Sequence, residues 1–208
     1  MIDVGTDHAY IPIWLLLKYP DTKAVATDIR SGPLNRARLD AEYYHVADRL
    51  ELRQCDGLSF CEPDSVDTVI IAGMGGETII GILSDALWTR QKRLIVQPQT
   101  KQDELRAWLG SHGYQISDAS LAYDTGRIYL IWLIEEGNMP QLHGVDNALL
   151  MHRDPLLRPY LDDQIKRIRK RLHVIEAAAN PEEKILKTLQ DRLSELESIY
   201  KEVSAWQP

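Results

Sequence analysis

Acidic and small side chains recur where the predicted strands of this sequence end. Asp3 and Gly5 close the first strand, Asp28 closes the second, and Asp56-Gly57 follow the third. The fourth strand opens into residues 72–76 (AGMGG), whose backbone carries few bulky groups. Glycine lets a ligand approach the main chain closely, and an acidic residue about 20 residues beyond a glycine turn commonly accepts hydrogen bonds from ribose hydroxyls. Together these features predict a nucleoside site.

The turn after the first strand departs from the dinucleotide fingerprint G-x-G-x-x-G, because Ala9 and Tyr10 occupy its later part. A cradle for a pyrophosphate is therefore poorly supported. A nucleoside without a diphosphate fits better, and S-adenosylmethionine is such a ligand. Each acidic residue alone could instead be an ordinary turn or capping residue. Their shared position at strand ends favours the ligand site.

Strands and helices alternate through the first two thirds of the chain. The predicted strands are residues 2–4, 23–27, 50–53, 66–72, 94–96, 114–123 and 128–134, and the predicted helices are 11–19, 33–44 and 101–112, with another after Gly76. This alternation predicts an α/β fold with a parallel sheet covered by helices on both faces. Such sheets bind ligands at the carboxyl ends of their strands.

Composition excludes several classes of protein. The chain has 208 residues, of which 44% are hydrophobic and 26% charged, values typical of a folded globular protein. No apolar run reaches about 18 residues, and no secretory signal is visible, so we expect no membrane segment and a cytoplasmic location. The two cysteines form no Cys-x-x-Cys motif, so neither a disulfide scaffold nor a zinc site is expected. A net charge of −7 disfavours nucleic-acid binding through bulk positive charge.

The charge balance changes near residue 150. Residues 151–208 contain 11 Lys and Arg against 10 Asp and Glu, whereas residues 1–150 contain 13 against 21. We therefore predict a main domain at 1–136, a connection at 137–154 and a helical appendage at 155–208. Two heptad-like apolar stripes predict an antiparallel helical hairpin or coiled coil joined at residues 180–183. The stripes are Leu161, Ile165, Ile168, Leu172, Ile175 and Ala179, and Leu186, Leu189, Leu193, Leu196, Tyr200 and Val203.

The first appendage helix contains the densest positive cluster of the chain. Five of the six residues from 166 to 171 are basic, namely Lys166, Arg167, Arg169, Lys170 and Arg171. A solvated helix face is the ordinary interpretation of such a run. The more specific interpretation is an arm that binds nucleic-acid phosphates. It is favoured because the remainder of the chain is acidic.

Three motifs resemble those of the bacterial tRNA methyltransferases that modify N1 of adenine 22. They are residues 2–12 (IDVGTDHAYIP), 70–76 (IIAGMGG) and 95–99 (IVQPQ). The resemblance implies a Rossmann-like class I fold, S-adenosylmethionine as cofactor and tRNA as substrate. It implies that Asp3, Gly5, Thr6 and His8 lie beside the cofactor, Asp28 and Ile29 at its ribose, Asp56 and Gly57 at its adenine, and Gly73 and Met74 at its methionine end.

Methylation of a ring nitrogen mainly requires alignment, because N1 already offers a lone pair. The product is cationic, so a carboxylate nearby would stabilise it. Asp7 is the candidate for that role, although it could instead cap the following helix. His8 could hold the cofactor carboxylate or simply pack, and Tyr10 could stack on a base or simply pack.

The sequence departs from the family at two places. Family members usually carry a longer segment before the first strand, so we expect residues preceding Met1, and Gln99 stands where they tend to have Asn. Two other functions stay open, a methyltransferase with another substrate and a non-catalytic RNA-binding or oligomerising module. A monomer or weak homodimer is expected. We also expect Trp14, Trp88, Trp108 and Trp132 to be packing residues.

Overall fold

The computed structural model describes residues 1–59, 61, 63–139, 145–177 and 182–206. Seven strands form one sheet in the order β3-β2-β1-β4-β5-β7-β6. Strands β1 to β5 are parallel, and β7 runs antiparallel to β5. The strands are β1 (Ile2–Val4), β2 (Ala24–Asp28), β3 (Leu50–Gln54), β4 (Thr68–Gly75), β5 (Arg93–Thr100), β6 (Tyr114–Asp124) and β7 (Arg127–Glu136).

Helices follow strands β1, β2, β4 and β5, as the sequence pattern predicts. The helices are α1 (Tyr10–Lys18), α2 (Ser31–Tyr43), α3 (Gly76–Ser84), α4 (Gln102–Ser111), α5 (Asn147–Met151), α6 (Leu157–Glu176) and α7 (Glu183–Ser204). Short 3-10 turns at Pro63–Ser65 and Leu87–Gln91 precede β4 and β5. The predicted α/β fold is confirmed, and most predicted element ends lie within two residues of the observed ones.

The central strands are apolar because helices cover them, as is usual for parallel sheets. All three residues of β1 are buried, and so are Val69, Ile70 and Ile71 of β4. One core cluster joins α1 and α2 to β2 through small side chains. Its members are Ala9, Ile13, Leu16, Ala24, Ala26, Ala37, Ala41, Val46 and Leu50. Small residues here let both helices lie close to the sheet.

Strand β4 is longer than predicted. The sequence suggested that it ends at Ala72, because three glycines follow within four residues, yet it continues to Gly75 with irregular pairing. Met74 is the partner of Pro98, and Gly75 is the partner of Thr100. Pairing with β5, which extends to Thr100, overrides the weak strand preference of glycine. The glycine-rich segment is therefore strand rather than free turn.

The chain divides into two compact units. The first comprises residues 1–117 and 131–139, and the second comprises 118–130 and 140–208. The boundaries 1–136, 137–154 and 155–208 remain predictions. Within the second unit, α6 packs against α7, and Arg158 near the start of α6 lies over the Tyr200 ring near the end of α7. The predicted antiparallel hairpin is confirmed.

The two predicted stripes form the inner faces of this hairpin. Every described member of both stripes is buried or half-buried, and the most completely covered are Leu161, Ile165, Leu172, Leu196 and Val203. Ala179 and the joining residues Asn180 and Pro181 lie outside the described residues. Heptad-like spacing thus located the contact surface correctly, since it brings apolar side chains to one side of each helix.

The tryptophans divide into covered and exposed ones. Trp132 is fully buried, and Trp88 and Trp108 are partly buried, in agreement with packing roles. The prediction for Trp14 is wrong, because its residue surface is 55% exposed and Lys18 lies over its ring. Helix α1 is apolar around most of its circumference, so sequence alone did not reveal which side faces the sheet.

Candidate functional site

The turn after β1 has an unusual backbone. Gly5, Asp7 and Ala9 all have positive φ angles, of 69°, 51° and 56°. Such angles cost energy for residues other than glycine and often occur at functional sites. The Thr6 N–H donates to the Thr27 carbonyl at 2.8 Å, which ties this turn to the end of β2. Helix α1 has no side-chain cap, so the alternative capping role for Asp7 is absent.

Asp3 lies in the middle of β1 and is only 4% exposed. Its Oδ2 accepts a hydrogen bond of 2.6 Å from the Thr6 hydroxyl. Burial raises the pKa of Asp3 to about 6, and the Thr6 hydrogen bond opposes this shift by favouring the charged form. The Asp3 carboxyl group therefore changes charge near pH 6, and the Thr6 hydroxyl donates a hydrogen bond to it.

Asp28 joins the ends of the first two strands. It is 6% exposed, and its two carboxylate oxygens accept backbone N–H groups from Asp7 at 3.3 Å and Arg30 at 2.9 Å. The Arg30 guanidinium lies 3.8 Å away and remains largely exposed. Ile29, between them, is an exposed residue. The Asp28 carboxylate thus holds both turns in one arrangement at the carboxyl edge of the sheet.

The end of β3 reaches the same edge. Gly57 has a φ of 55°, and the Cys55 N–H donates to the Asp28 carbonyl at 3.1 Å. The Thr27 hydroxyl lies within 3.5 Å of the carbonyls of both Asp3 and Gly57. The Asp56 side chain is exposed. Sequence reasoning missed Thr27, although its place beside Asp28 at the end of a strand was a usable signal.

The glycine-rich segment of β4 lies directly against the glycine turn of β1. A Cβ atom on Gly5 would overlap the terminal methyl group of Met74. The absence of a side chain at Gly5 therefore makes room for Met74 in this structure. Gly5 and Met74, both predicted to lie beside the cofactor, thus meet across two strands that are neighbours in the sheet and far apart in sequence.

Three residues after Gly5 line the outer side of the turn. The Asp7 side chain is 64% exposed, and its Oδ1 lies 3.8 Å from Nε2 of His8. The His8 and Tyr10 rings stack with their centroids 5.4 Å apart. Among the described residues, His8 Nδ1 is the buried side-chain polar atom without a hydrogen-bond partner. Tyr10 is exposed, so its ring is open to a ligand.

The basic residues of α6 lie in the second unit and differ in their partners. Lys166 pairs with Asp162, Arg167 pairs with Asp163 at 2.8 Å, and Arg169 pairs with Glu197 of α7 at 2.7 Å. The hydrogen bond to Asp162 raises the pKa of Lys166.

Lys170 and Arg171 are exposed and form no ion pair with another residue in the described ranges. The positive character of the helix is therefore concentrated at these two positions.

The described ranges show neither a metal-binding cluster nor a membrane-spanning helix. These residues contain no group of three or more His, Cys, Asp and Glu side chains that could hold a metal ion. No helix among them is both long enough and apolar enough to cross a membrane.

The sequence that forms these strand ends matches a known family. A family model described as a methyltransferase domain matches residues 1–132, which include β1 to β5 and all the strand-end residues described above. The chain belongs to this methyltransferase-domain family. The matched residues include Asp3 of β1, the glycine turn that follows it and Asp28 at the end of β2.

Individual relatives of this methyltransferase domain support the more specific resemblance. The tRNA (adenine(22)-N(1))-methyltransferase of Bacillus subtilis is 34% identical over 141 residues, which cover 66% of this chain and 59% of that protein. The crystal structure of the B. subtilis M1A22 tRNA methyltransferase TrmK has a TM-score of 0.82 at 28% identity, with 96% and 91% of the chains covered. The resemblance inferred from the three motifs is confirmed.

One similar structure contains a ligand. A candidate tRNA (m1A22) methyltransferase of Streptococcus pneumoniae was solved in complex with S-adenosyl-L-methionine, with a TM-score of 0.81 at 28% identity. The match covers 96% of this chain and 91% of that one. It therefore includes both the methyltransferase domain and the C-terminal helices, and the predicted combination of a Rossmann-like sheet with a helical hairpin is confirmed.

Proposed function

We propose that this protein transfers the methyl group of S-adenosylmethionine to N1 of adenine 22 in tRNA. The observation that carries the proposal is the joined set of Asp3, Gly5, Thr6 and Asp28, in a chain whose fold matches a cofactor-bound relative over 96% of its length. A buried carboxylate and a bare glycine turn suit a cationic nucleoside.

The cofactor would supply an electrophilic methyl group on a sulfonium. Asp28 would accept hydrogen bonds from the ribose hydroxyls, since its carboxylate is already fixed by two backbone donors. Asp56 and Gly57 would border the adenine, with Ile29 covering one side. Gly73 and Met74 would border the methionine end, together with His8, whose unpartnered Nδ1 offers a hydrogen bond there. Burial by these residues would exclude water from the reacting groups.

Asp7 would face the target adenine. Its exposed side chain and its anchored backbone combine access with a fixed position. Methylation of N1 leaves a positive charge on the base, and the Asp7 carboxylate would stabilise that charge as it develops. Tyr10, stacked on His8 and otherwise open, would support the extruded base.

The C-terminal hairpin would bind the remainder of the tRNA. Extruding a stacked base costs a few kcal/mol, so contacts away from the target base are needed. The basic side chains of α6 can neutralise phosphates, and Lys170 and Arg171 are the most available of them. A tRNA substrate implies a cytoplasmic enzyme. We retain the prediction that the protein is a monomer or a weak homodimer.

Mapping the methylated nucleotide tests this function. Purified protein, S-adenosylmethionine and an unmodified tRNA transcript with adenine at position 22 are incubated, and the product is digested and analysed by mass spectrometry. A transcript with guanine at position 22 serves as the matched control. We expect one 1-methyladenosine at position 22 and none in the control.

Other outcomes separate the alternatives. Cofactor binding by calorimetry without tRNA methylation would favour a methyltransferase with another substrate. Binding of tRNA without cofactor binding would favour a non-catalytic module. Methylation at a different adenine would retain the reaction class and reject the position.

A further inference from the structure

Strand β4 contains a bulge at Gly73. Its pairing with β5 changes register between Ala72 and Met74, and Gly73 has a φ of 77°. A bulged residue is left outside the regular ladder of hydrogen bonds between strands. The Gly73 N–H therefore needs another acceptor to stay in a fixed position.

Gln97 provides that acceptor. Its side-chain Oε1 accepts the Gly73 N–H at 3.0 Å. Gln97 is also the backbone partner of Ala72, the last regularly paired residue of β4 before the bulge. Gln97 therefore has two roles. Its backbone lies opposite Ala72 in the regular part of the strand pair, and its side chain binds the bulged Gly73. Among common side chains, Glu has the same reach and also an acceptor, whereas Leu has a similar size without one.

Met74 follows the bulge and lies against the glycine turn of β1. The Met74 methyl group occupies the space that a side chain on Gly5 would need. Beyond Met74, Gly75 and Gly76 lie close to Thr100 and Lys101, since a Cβ on Gly75 would be 3.0 Å from the Thr100 Oγ1. The segment after the bulge is therefore packed against β5, and the glycine turn of β1 lies on its other side. The Gln97 side chain is the hydrogen-bond contact that holds the segment at its start.

We propose that Gln97 is a positioning residue for methyl transfer, acting through the Gly73 N–H to hold Gly73 and Met74 beside the reacting end of the cofactor. This inference rests on the proposed function, which assigns Gly73 and Met74 to the methionine end. Methyl transfer depends strongly on alignment. Loss of the Gln97 carbonyl should therefore slow the chemical step more than it weakens cofactor binding, to which Asp28, Asp56 and Gly57 contribute at the other end.

The test compares Gln97→Leu, Gln97→Glu and the exposed control Gln91→Leu. Single-turnover methylation of tRNA, the Kd for S-adenosylhomocysteine and the melting temperature are measured for each variant. We expect Gln97→Leu to slow methylation about fivefold, the scale of one hydrogen bond, with the Kd changed less than about twofold. Gln97→Glu should retain most of the rate because its carboxylate accepts the same N–H. Amide exchange at Gly73 should accelerate only in Gln97→Leu.

Three results would overturn the inference. The first is a Gln97→Leu enzyme as fast as the wild type. The second is a Gln97→Glu enzyme as slow as Gln97→Leu, because the acceptor would then not be the cause. The third is a rate loss that merely follows a lower melting temperature. If the wild-type protein itself does not methylate tRNA, both the proposed function and this inference fail. That result differs from the three above, because each of them requires an active wild-type enzyme.

Discussion

The carboxyl edge of the parallel sheet and the basic face of α6 are built in opposite ways. At the sheet edge, carboxyl groups are buried and fixed by hydrogen bonds, from the Thr6 hydroxyl to Asp3 and from two backbone N–H groups to Asp28. On α6 the charged groups are exposed, and three of the five basic side chains pair with acidic neighbours. Exposed pairs contribute only about 0–1 kcal/mol, whereas buried charges carry large desolvation costs. Single changes should therefore have large effects at the edge and graded, salt-dependent effects on α6.

The largest effect is expected at Asp3, as a dependence of stability on pH. Its pKa is raised from the ordinary 3.8 to about 6 in the folded protein. Between these values the folded state holds a proton that the unfolded state has released, so the free energy of unfolding falls as pH rises. The loss reaches roughly 3 kcal/mol above pH 6.

Asp3→Asn removes this dependence. Denaturant unfolding from pH 4 to pH 7 should show the wild type losing stability relative to Asp3→Asn as the pH rises. Asp21→Asn, at an exposed loop position, is the control and should follow the wild type. A constant difference between wild type and Asp3→Asn across the range would contradict a raised pKa.

Asp28→Ala should have the second largest effect. The change removes an acceptor for two backbone N–H groups and, in the proposed function, for the cofactor ribose. Charge-assisted bonds of this kind contribute about 1.5–3 kcal/mol. The Kd for S-adenosylmethionine, measured by calorimetry, should rise about 100-fold. Asp21→Ala should bind as the wild type does. Normal cofactor affinity in Asp28→Ala would remove Asp28 from the site.

Asp7→Asn should separate chemistry from binding. The Asn side chain keeps the shape but loses the charge that would stabilise the methylated base, so single-turnover methylation should slow about 50-fold. Cofactor affinity should stay unchanged, because the Asp7 backbone N–H still donates to Asp28. Asp85→Asn, exposed after α3, is the control. An unchanged rate on full-length tRNA would show that the Asp7 charge has no catalytic role.

The smallest effects should come from α6, and they should differ between two pairs of residues. Lys170→Gln with Arg171→Gln removes charges that no described acidic side chain neutralises, so tRNA affinity should fall about tenfold and depend less on salt. Lys166→Gln with Arg167→Gln should cost only about threefold, because Asp162 and Asp163 already offset those charges. Equal losses, or none, would refute this difference.

Much of the fold followed from local patterns. Alternating strands and helices predicted the sheet, and the heptad-like stripes predicted the buried faces of α6 and α7. Two ion pairs on α6 follow from helical spacing, although they were not predicted, since Asp162 and Asp163 stand four residues before Lys166 and Arg167. The contact of Arg169 with Glu197 does not follow from that spacing, because it joins two helices.

The least predictable features depend on neighbours that are distant in sequence. Local preference ended β4 at Ala72, and only pairing with β5 carried it to Gly75. The apolar sequence of α1 could not reveal that Trp14 faces outward. Residue type did not indicate the positive φ angles of Asp7 and Ala9, since neither residue is a glycine. These conformations are maintained by surrounding contacts, such as the hydrogen bond from Thr6 to Thr27.

The order of residues along the chain determined which side chains stand at each strand end and which sides of the last two helices are apolar. Tertiary structure alone decided that β4 lies beside β1, with Met74 against Gly5. It also decided that Asp3 is covered enough to hold its proton near pH 6. The physical reason is that periodicity and residue type act over a few neighbours, whereas strand order and burial depend on the packing of the whole sheet.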